Sequence, residues 1–160
     1  MSAHPRLDLA VEQARLAREA GNHPFGAVLA DADGMVVLSA QNTVVTDSDV
    51  TGHAESNLVR LASQTLGRDL RGYSLYTSTE PCAMCAGAMV LARLDALVFG
   101  ADDPKAGFAG SLGDLTSDPR LNHRLHLVRG VRAEEAAALL RTFFVERRGL
   151  GAGSEEASSP

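Results

Sequence analysis

The sequence predicts an α/β fold: a three-layer α-β-α sandwich in which a five-stranded mixed sheet is covered by helices on both faces. Three observations carry that prediction. The chain has 160 residues, of which 45% are hydrophobic, enough for one domain with a real core. Segments of helical periodicity alternate with short β-branched runs. The first two of those runs form a hairpin, so the sheet begins antiparallel before the helix-separated strands are added.

The elements follow in order. Asp8 to Ala20 places Leu9, Ala10, Val11, Ala14 and Ala17 at helical spacing and stops at Gly21. In "FGAVLADADGMVVLSA" the apolar runs Ala27 to Ala30 and Met35 to Ser39 flank the turn residues Asp31 to Gly34. Asn42 to Gly52 is polar and irregular. His53 then opens a second helix carrying Leu58, Leu61, Ala62 and Leu66, which ends at Gly67. "YSLYTS" is a third strand, and it runs into Pro81 and a helix of small residues reaching about Arg93. "ALVFGA" is the fourth strand, Arg124 to Val128 the fifth, and Arg132 to Arg148 a final helix closed by Gly149. Between the last two strands lies "DDPKAGFAGSLGDLTSDPRLNH", longer than a connection requires and therefore a candidate functional loop. Residues 1–149 are expected to form a single domain, and 150–160 a small, polar, disordered tail.

Charge and hydropathy exclude some classes of function. The start "MSAHPRLDLAVEQARLAREAG" is too charged for a signal peptide, and the longest apolar run, Ala83 to Ala92, is too short to span a bilayer. A cytoplasmic protein without a membrane partner is expected. The net charge of −5 and a pI near 5.5 argue against binding nucleic acid by broad phosphate neutralisation.

The chemistry concentrates in "TEPCAMC", Thr79 to Cys85, which holds both cysteines of the chain, Cys82 and Cys85. A reducing compartment disfavours a lasting disulfide, and a bridge across two residues would constrain the unfolded chain very little. A redox pair and a metal pair remain, and a redox pair also sits between a strand and a helix. "HAE" at His53 to Glu55 separates them by offering a third ligand at the start of the preceding helix. His53, Cys82 and Cys85 would then form a Zn²⁺ site with three protein ligands and one open position, the form expected of catalytic zinc. Residues two apart on a helix point to different sides, so His53 and Glu55 serve one site only if the helix aims its first turn at it. Glu55, close by but not a ligand, would carry protons between water and substrate. Set against these readings, cysteines are often small buried hydrophobes, and a glutamate in a first helical turn is often only favourable to the dipole.

Together "HAE" and "PCAMC" have the form H-x-E with P-C-x-x-C, the signature of zinc nucleobase deaminases. With "PFGAVL", "QN" at Gln41 and Asn42, "VFGADDPKAGFAGSL", "LNHR" and "EEAAALLRTFF", the chain from about Pro24 to Arg148 resembles the cytidine deaminase superfamily. Within it, the resemblance is to the guanine deaminase and tRNA adenosine deaminase branch. That resemblance implies zinc on His53, Cys82 and Cys85, a proton shuttle at Glu55, and Asn42 on the edge of the base. It also implies a pocket shaped by the backbone around Phe25, Gly26, Ala27 and Ala54, and a homodimer. His123 in "LNHR" either lines that pocket or satisfies a local hydrogen bond. Asp102, where the tRNA enzymes commonly have arginine, and Phe25, where they often have valine, depart from the RNA-editing pattern. The leading expectation is therefore hydrolytic removal of an amino group from a purine, as free base or nucleoside. The alternative is adenosine-to-inosine conversion in a tRNA anticodon loop, with a cytosine or cytidine substrate third.

Overall fold

A computed structural model describes residues 4–131 and the isolated positions 134, 137, 138 and 141. The tail 150–160 lies outside the described residues, as does the predicted final helix apart from those four positions. Among the described residues the named elements are α1 (Pro5–Glu19), β1 (Gly26–Ala30), β2 (Val36–Gln41), α2 (Ala54–Leu66), β3 (Ser74–Thr79), α3 (Ala83–Ala92), β4 (Ala96–Ala101) and β5 (His126–Val128). The strands form one sheet in the order β2-β1-β3-β4-β5. β1 pairs antiparallel with β2 and with β3, whereas β3, β4 and β5 run parallel, so the sheet is mixed as predicted.

Local sequence accounts for these elements. Pro5 sits in the first turn of α1, where its fixed φ suits the helix and its missing N–H is no loss. Leu7, Ala10, Ala14 and Ala17 form the buried stripe of α1, which lies on the backbone of β1. A Cβ at Gly26 would run into the backbone of Ala10 and Ala14, so only glycine lets helix and strand approach this closely. Asp31 closes the hairpin by accepting from the N–H groups of Asp33 at 3.0 Å and Met35 at 2.9 Å. β1 is buried along its whole length, and β2 alternates as an edge strand does.

The main core lies between the sheet and α2 and α3. Leu29, Leu58, Leu75, Met89, Leu97 and Phe99 meet there, each at 1% exposure or less. Truncating a leucine in such a setting costs about 2–5 kcal/mol. The parallel strands β3 and β4 both end at one edge of this core, and the segment that follows β3 carries Cys82 and Cys85. Open α/β sheets place their ligands beyond the carboxyl ends of parallel strands.

Candidate metal centre and active site

Two helix starts converge at that edge. Thr79 ends β3, Pro81 fixes the turn, and Cys82 is the N-cap of α3 in extended conformation, with φ −74° and ψ 178°. His53 is the N-cap of α2 in a similar conformation, with φ −74° and ψ 152°. Neither side chain caps its own helix. Because an N-cap residue is not yet helical, His53 can turn toward the same point as Glu55 in the first turn, which resolves the helical-wheel difficulty. Cys85, fully buried, stands one turn after Cys82.

The distances suit a metal. His53 Nδ1 lies 3.5 Å from Cys82 Sγ and 3.6 Å from Cys85 Sγ, and all three donor atoms fall within 4.8 Å of one another. Tetrahedral zinc, with Zn–S about 2.3 Å and Zn–N about 2.0–2.1 Å, sets neighbouring donors about 3.5–3.8 Å apart. The three residues therefore fit zinc in spacing and in donor chemistry, with one coordination position left for a non-protein ligand.

The electrostatics are those of a coupled cluster. A hydrogen bond from Cys85 and the neighbouring His53 draw the Cys82 thiol down to about 4, against the opposing effect of burial. Cys85 moves the other way, its proton held by the bond to Cys82 and by burial. Burial works against charge on His53, but its hydrogen bond to Cys82 and the charges of Glu55 and Cys82 outweigh it and raise its pKa. Metal binding takes thiolates, so it would release the Cys85 proton.

Glu55 is 5% exposed and sits in the first turn of α2, outside the metal-ligand group. Burial pushes its carboxyl up to about 7, the range in which a carboxyl both takes and gives protons near neutrality. The hydroxyl of Thr77, buried in β3, donates to Glu55 Oε2 at 3.0 Å and lies 3.3 Å from the Gly26 carbonyl. Thr77 was not singled out from the sequence. The signal was available: Leu75, Thr77 and Thr79 alternate onto the buried side of β3, and a polar residue in an inward position asks for a partner.

The other site residues named from sequence gather around the start of β1. Ala27 pairs with Thr77 across the sheet, and the Phe25 carbonyl accepts from Asn42 N–H at 3.0 Å. Phe25, Ala27 and Ala54 are buried. Asn42 is fully buried, and its Oδ1 accepts from Val44 N–H at 3.0 Å, the turn role expected of it. Its Nδ2 donates to no acceptor among the described residues, which leaves a buried amide donor available to a ligand.

Asn22 and Asn57, neither named beforehand, pin the segment that carries Asn42. Asn22 Oδ1 accepts from Val45 and Thr46 N–H, both at 3.0 Å. Asn57 Nδ2 reaches the Gln41 carbonyl at 3.0 Å and Thr43 Oγ1 at 2.9 Å.

His123 goes elsewhere. Its Nε2 lies 2.6 Å from the carbonyl of Leu94, just before the first residue of β4, at the end of the sheet away from Cys82. The structure thus places it on a local hydrogen bond and does not bring it to the cluster. His126 is exposed on β5.

The loop after β4 is organised by Glu80, another residue not anticipated. Glu80 is 2% exposed. Its pKa is lowered: burial opposes the charge, but the Ser111 hydroxyl and the N–H groups of Asp103, Ser111 and Ala109 prevail. Asp102, at the base of this loop, lies 3.4 Å from the guanidinium of Arg129, which also stacks over Phe99 at 5.7 Å. Asp102 thus has a cation beside it at the surface.

Comparison with known proteins agrees with this chemistry. Residues 2–101 match the family model described as the cytidine and deoxycytidylate deaminase zinc-binding region. The tRNA-specific adenosine deaminase of Bacillus subtilis is 42% identical over 140 residues, 87% of this chain and 86% of that protein. A solved structure from a study of A-to-I editing by tRNA:A34 deaminases at the wobble position superposes with TM-score 0.79 at 38% identity, covering 84% of this chain and 97% of that one. The guanine deaminase of Bacillus subtilis is 33% identical with TM-score 0.61, covering 98% of this chain and 99% of that one. No described helix is long and apolar enough to cross a membrane. The relatives weigh toward the RNA-editing alternative over the free purine that charge had favoured.

Proposed function

The chain belongs to the cytidine and deoxycytidylate deaminase zinc-binding family, and from that premise we propose that it converts adenosine to inosine at the wobble position of a tRNA anticodon. It is a hydrolase that acts on C–N bonds and removes an amino group from a nucleobase. The observation that carries the RNA substrate is the identity to the Bacillus subtilis tRNA-specific adenosine deaminase, which runs over most of both chains.

In this reading adenosine and water become inosine and ammonia. The bond from C6 to the amino nitrogen breaks, and a C6–O bond forms. His53, Cys82 and Cys85 would hold the zinc, which when bound would lower the pKa of a water to about 7 and so make a nucleophile available near neutral pH. Glu55 takes one proton of the attacking water and passes it to the ring nitrogen N1, which keeps it; it then takes the second from the C6 hydroxyl and gives it to the amine, which leaves as ammonia as the C6 carbonyl forms. Thr77 keeps the Glu55 carboxyl oriented through its hydroxyl. Asn42 offers its buried amide donor to the edge of the base. The cluster is recessed, with His53 8% exposed and Cys85 fully buried, so the adenine must be splayed out of the anticodon stack to reach it.

The test compares substrates and salt. An anticodon stem-loop is expected to be turned over far better than adenine, guanine or their nucleosides. Its kcat/KM is expected to fall with salt, with a logarithmic slope near −0.7 for each phosphate neutralised. A free purine as second reading is favoured by the net charge of −5. Efficient deamination of a free base with a flat salt profile would overturn the RNA assignment in its favour.

A further inference from the structure

Glu80 immediately precedes the zinc-binding motif, yet its side chain turns away from the cluster into the loop after β4. Its carboxylate accepts four hydrogen bonds: from Asp103 N–H at 3.0 Å, Ala109 N–H at 2.9 Å, Ser111 N–H at 2.9 Å and Ser111 Oγ at 2.5 Å. No cation pairs with it among these contacts; backbone and hydroxyl dipoles meet its charge. The main chain around it is tied to the same loop. Glu80 N–H donates to the Ala101 carbonyl and Phe108 N–H to the Pro81 carbonyl, both at 2.8 Å. Cys82 forms an isolated antiparallel bridge with Gly107. A Cβ at Gly107 would fall on the Glu80 carboxylate, so a larger residue there would have to displace the carboxylate from its donors.

We propose that Glu80 is a positioning residue for the metal centre: its carboxylate gathers the loop from Asp103 to Ser111 and thereby clamps the backbone of Pro81 and Cys82, so that zinc is retained by the loop as well as by its ligands. The inference rests on the zinc reading of His53, Cys82 and Cys85. It adds that a side chain touching neither metal nor substrate sets how firmly the cluster holds its ion. Groups that orient metal ligands from outside the coordination sphere typically contribute about 10–100-fold in metal affinity or activity.

The test follows zinc transfer from the loaded protein to a chromophoric chelator. Glu80→Gln keeps the shape but turns an amide NH₂ toward donors, and it is expected to accelerate release about 10-fold or more. Gly107→Ala should do the same by pushing the loop off the carboxylate, and the double variant should be no faster than either single one. Ser111→Ala removes one donor and is expected to give a smaller acceleration, which keeps the test available if Glu80→Gln does not fold. Leu7→Ala, on the far side of the sheet, destabilises without touching the loop and should release zinc at the wild-type rate. Wild-type release rates in folded Gly107→Ala and Ser111→Ala, multiplicative effects in the double variant, or equal acceleration by Leu7→Ala would each overturn the proposal. A wild-type chain that holds no zinc would overturn the metal reading itself, and the proposal with it.

Discussion

Two segments border the cluster, and they are fastened in opposite ways. Residues 42–52, leading into His53, carry their own Asp49 turn to Thr51 and are fastened to the rest of the fold by neutral amides acting from two helical neighbourhoods. Asn22, just after α1, takes the N–H groups of Val45 and Thr46, and Asn57 in α2 reaches Gln41 and Thr43. Thr43 N–H also bonds the Gly52 carbonyl at 2.8 Å and closes the segment on itself. The loop that follows β4 converges instead on one carboxylate, Glu80. A neutral hydrogen bond contributes about 0.5–1.5 kcal/mol net and one to a charged group about 1.5–3. The first segment should therefore loosen by degrees as ties are cut, whereas the second, despite local turns at Asp103 and Asp114, is anchored to the segment before α3 through a single side chain.

The scale of that comparison is set by removing what both segments support. Replacing Cys82 and Cys85 together by alanine is expected to abolish binding of the one zinc per chain, because His53 alone cannot hold it. Elemental analysis after exhaustive dialysis checks this, and zinc undiminished in the double variant would dismantle the ligand assignment.

Next in size is Glu55→Gln, which leaves both fastenings and all three ligands in place. Turnover is expected to fall about 10²–10⁴-fold, with zinc content and melting temperature close to the parent, since an amide fills the space but carries no proton. Near-parental turnover would move the proton shuttle to another residue.

These two predictions rest on residues that could be read from the chain alone, and the reason is local. Cys82 and Cys85 lie one helical turn apart, and His53 and Glu55 open a segment whose period and Gly67 stop mark it as a helix. The five strands were legible for the same reason, from alternation and punctuation. What was not legible depends on groups far apart in sequence. Glu80 reads only as an acid ahead of a helix start, and its donors come from a loop 23 to 31 residues later. Asn57 reads as an ordinary helical polar residue, although its partners lie 14 and 16 positions earlier. His123 had two readings, and only the packing against Leu94 separates them. The acidic balance, a property of the whole chain, pointed to a free purine, whereas the similarity to tRNA-specific adenosine deaminases favours the RNA alternative. The Asp102 charge is met locally by Arg129.

The graded fastening can be probed at Asn57. Asn57→Leu has a similar size and strands the Gln41 carbonyl and the Thr43 hydroxyl, so a loss of about 1–3 kcal/mol in stability is expected. Because the segment carries Asn42, KM should rise more than kcat falls, while zinc stays bound. Cutting the Asn22 ties as well should add to the loss roughly independently. A collapse of zinc binding in Asn57→Leu would erase the distinction between the two fastenings.

The smallest effect is expected at Thr77, which belongs to neither segment and touches the reaction only through Glu55. Thr77→Val preserves the β-branched shape in β3 and deletes the hydroxyl that donates to Glu55 Oε2 at 3.0 Å. The carboxylate then keeps its burial but loses one orienting donor, an interaction of about 1.5–3 kcal/mol when made to a charged group. Part of that loss is common to ground and transition states, so kcat should drop by no more than about 10-fold. KM should change little, because the Asn42 segment is left as it was and the start of β1 loses only the 3.3 Å contact from Thr77 to the Gly26 carbonyl. Thr77→Ser restores the hydroxyl on a more mobile side chain and should recover most of the rate, which a purely packing role for Thr77 would not produce. Equal turnover in Thr77→Val and the parent would mean that Glu55 is oriented by its own helix start alone.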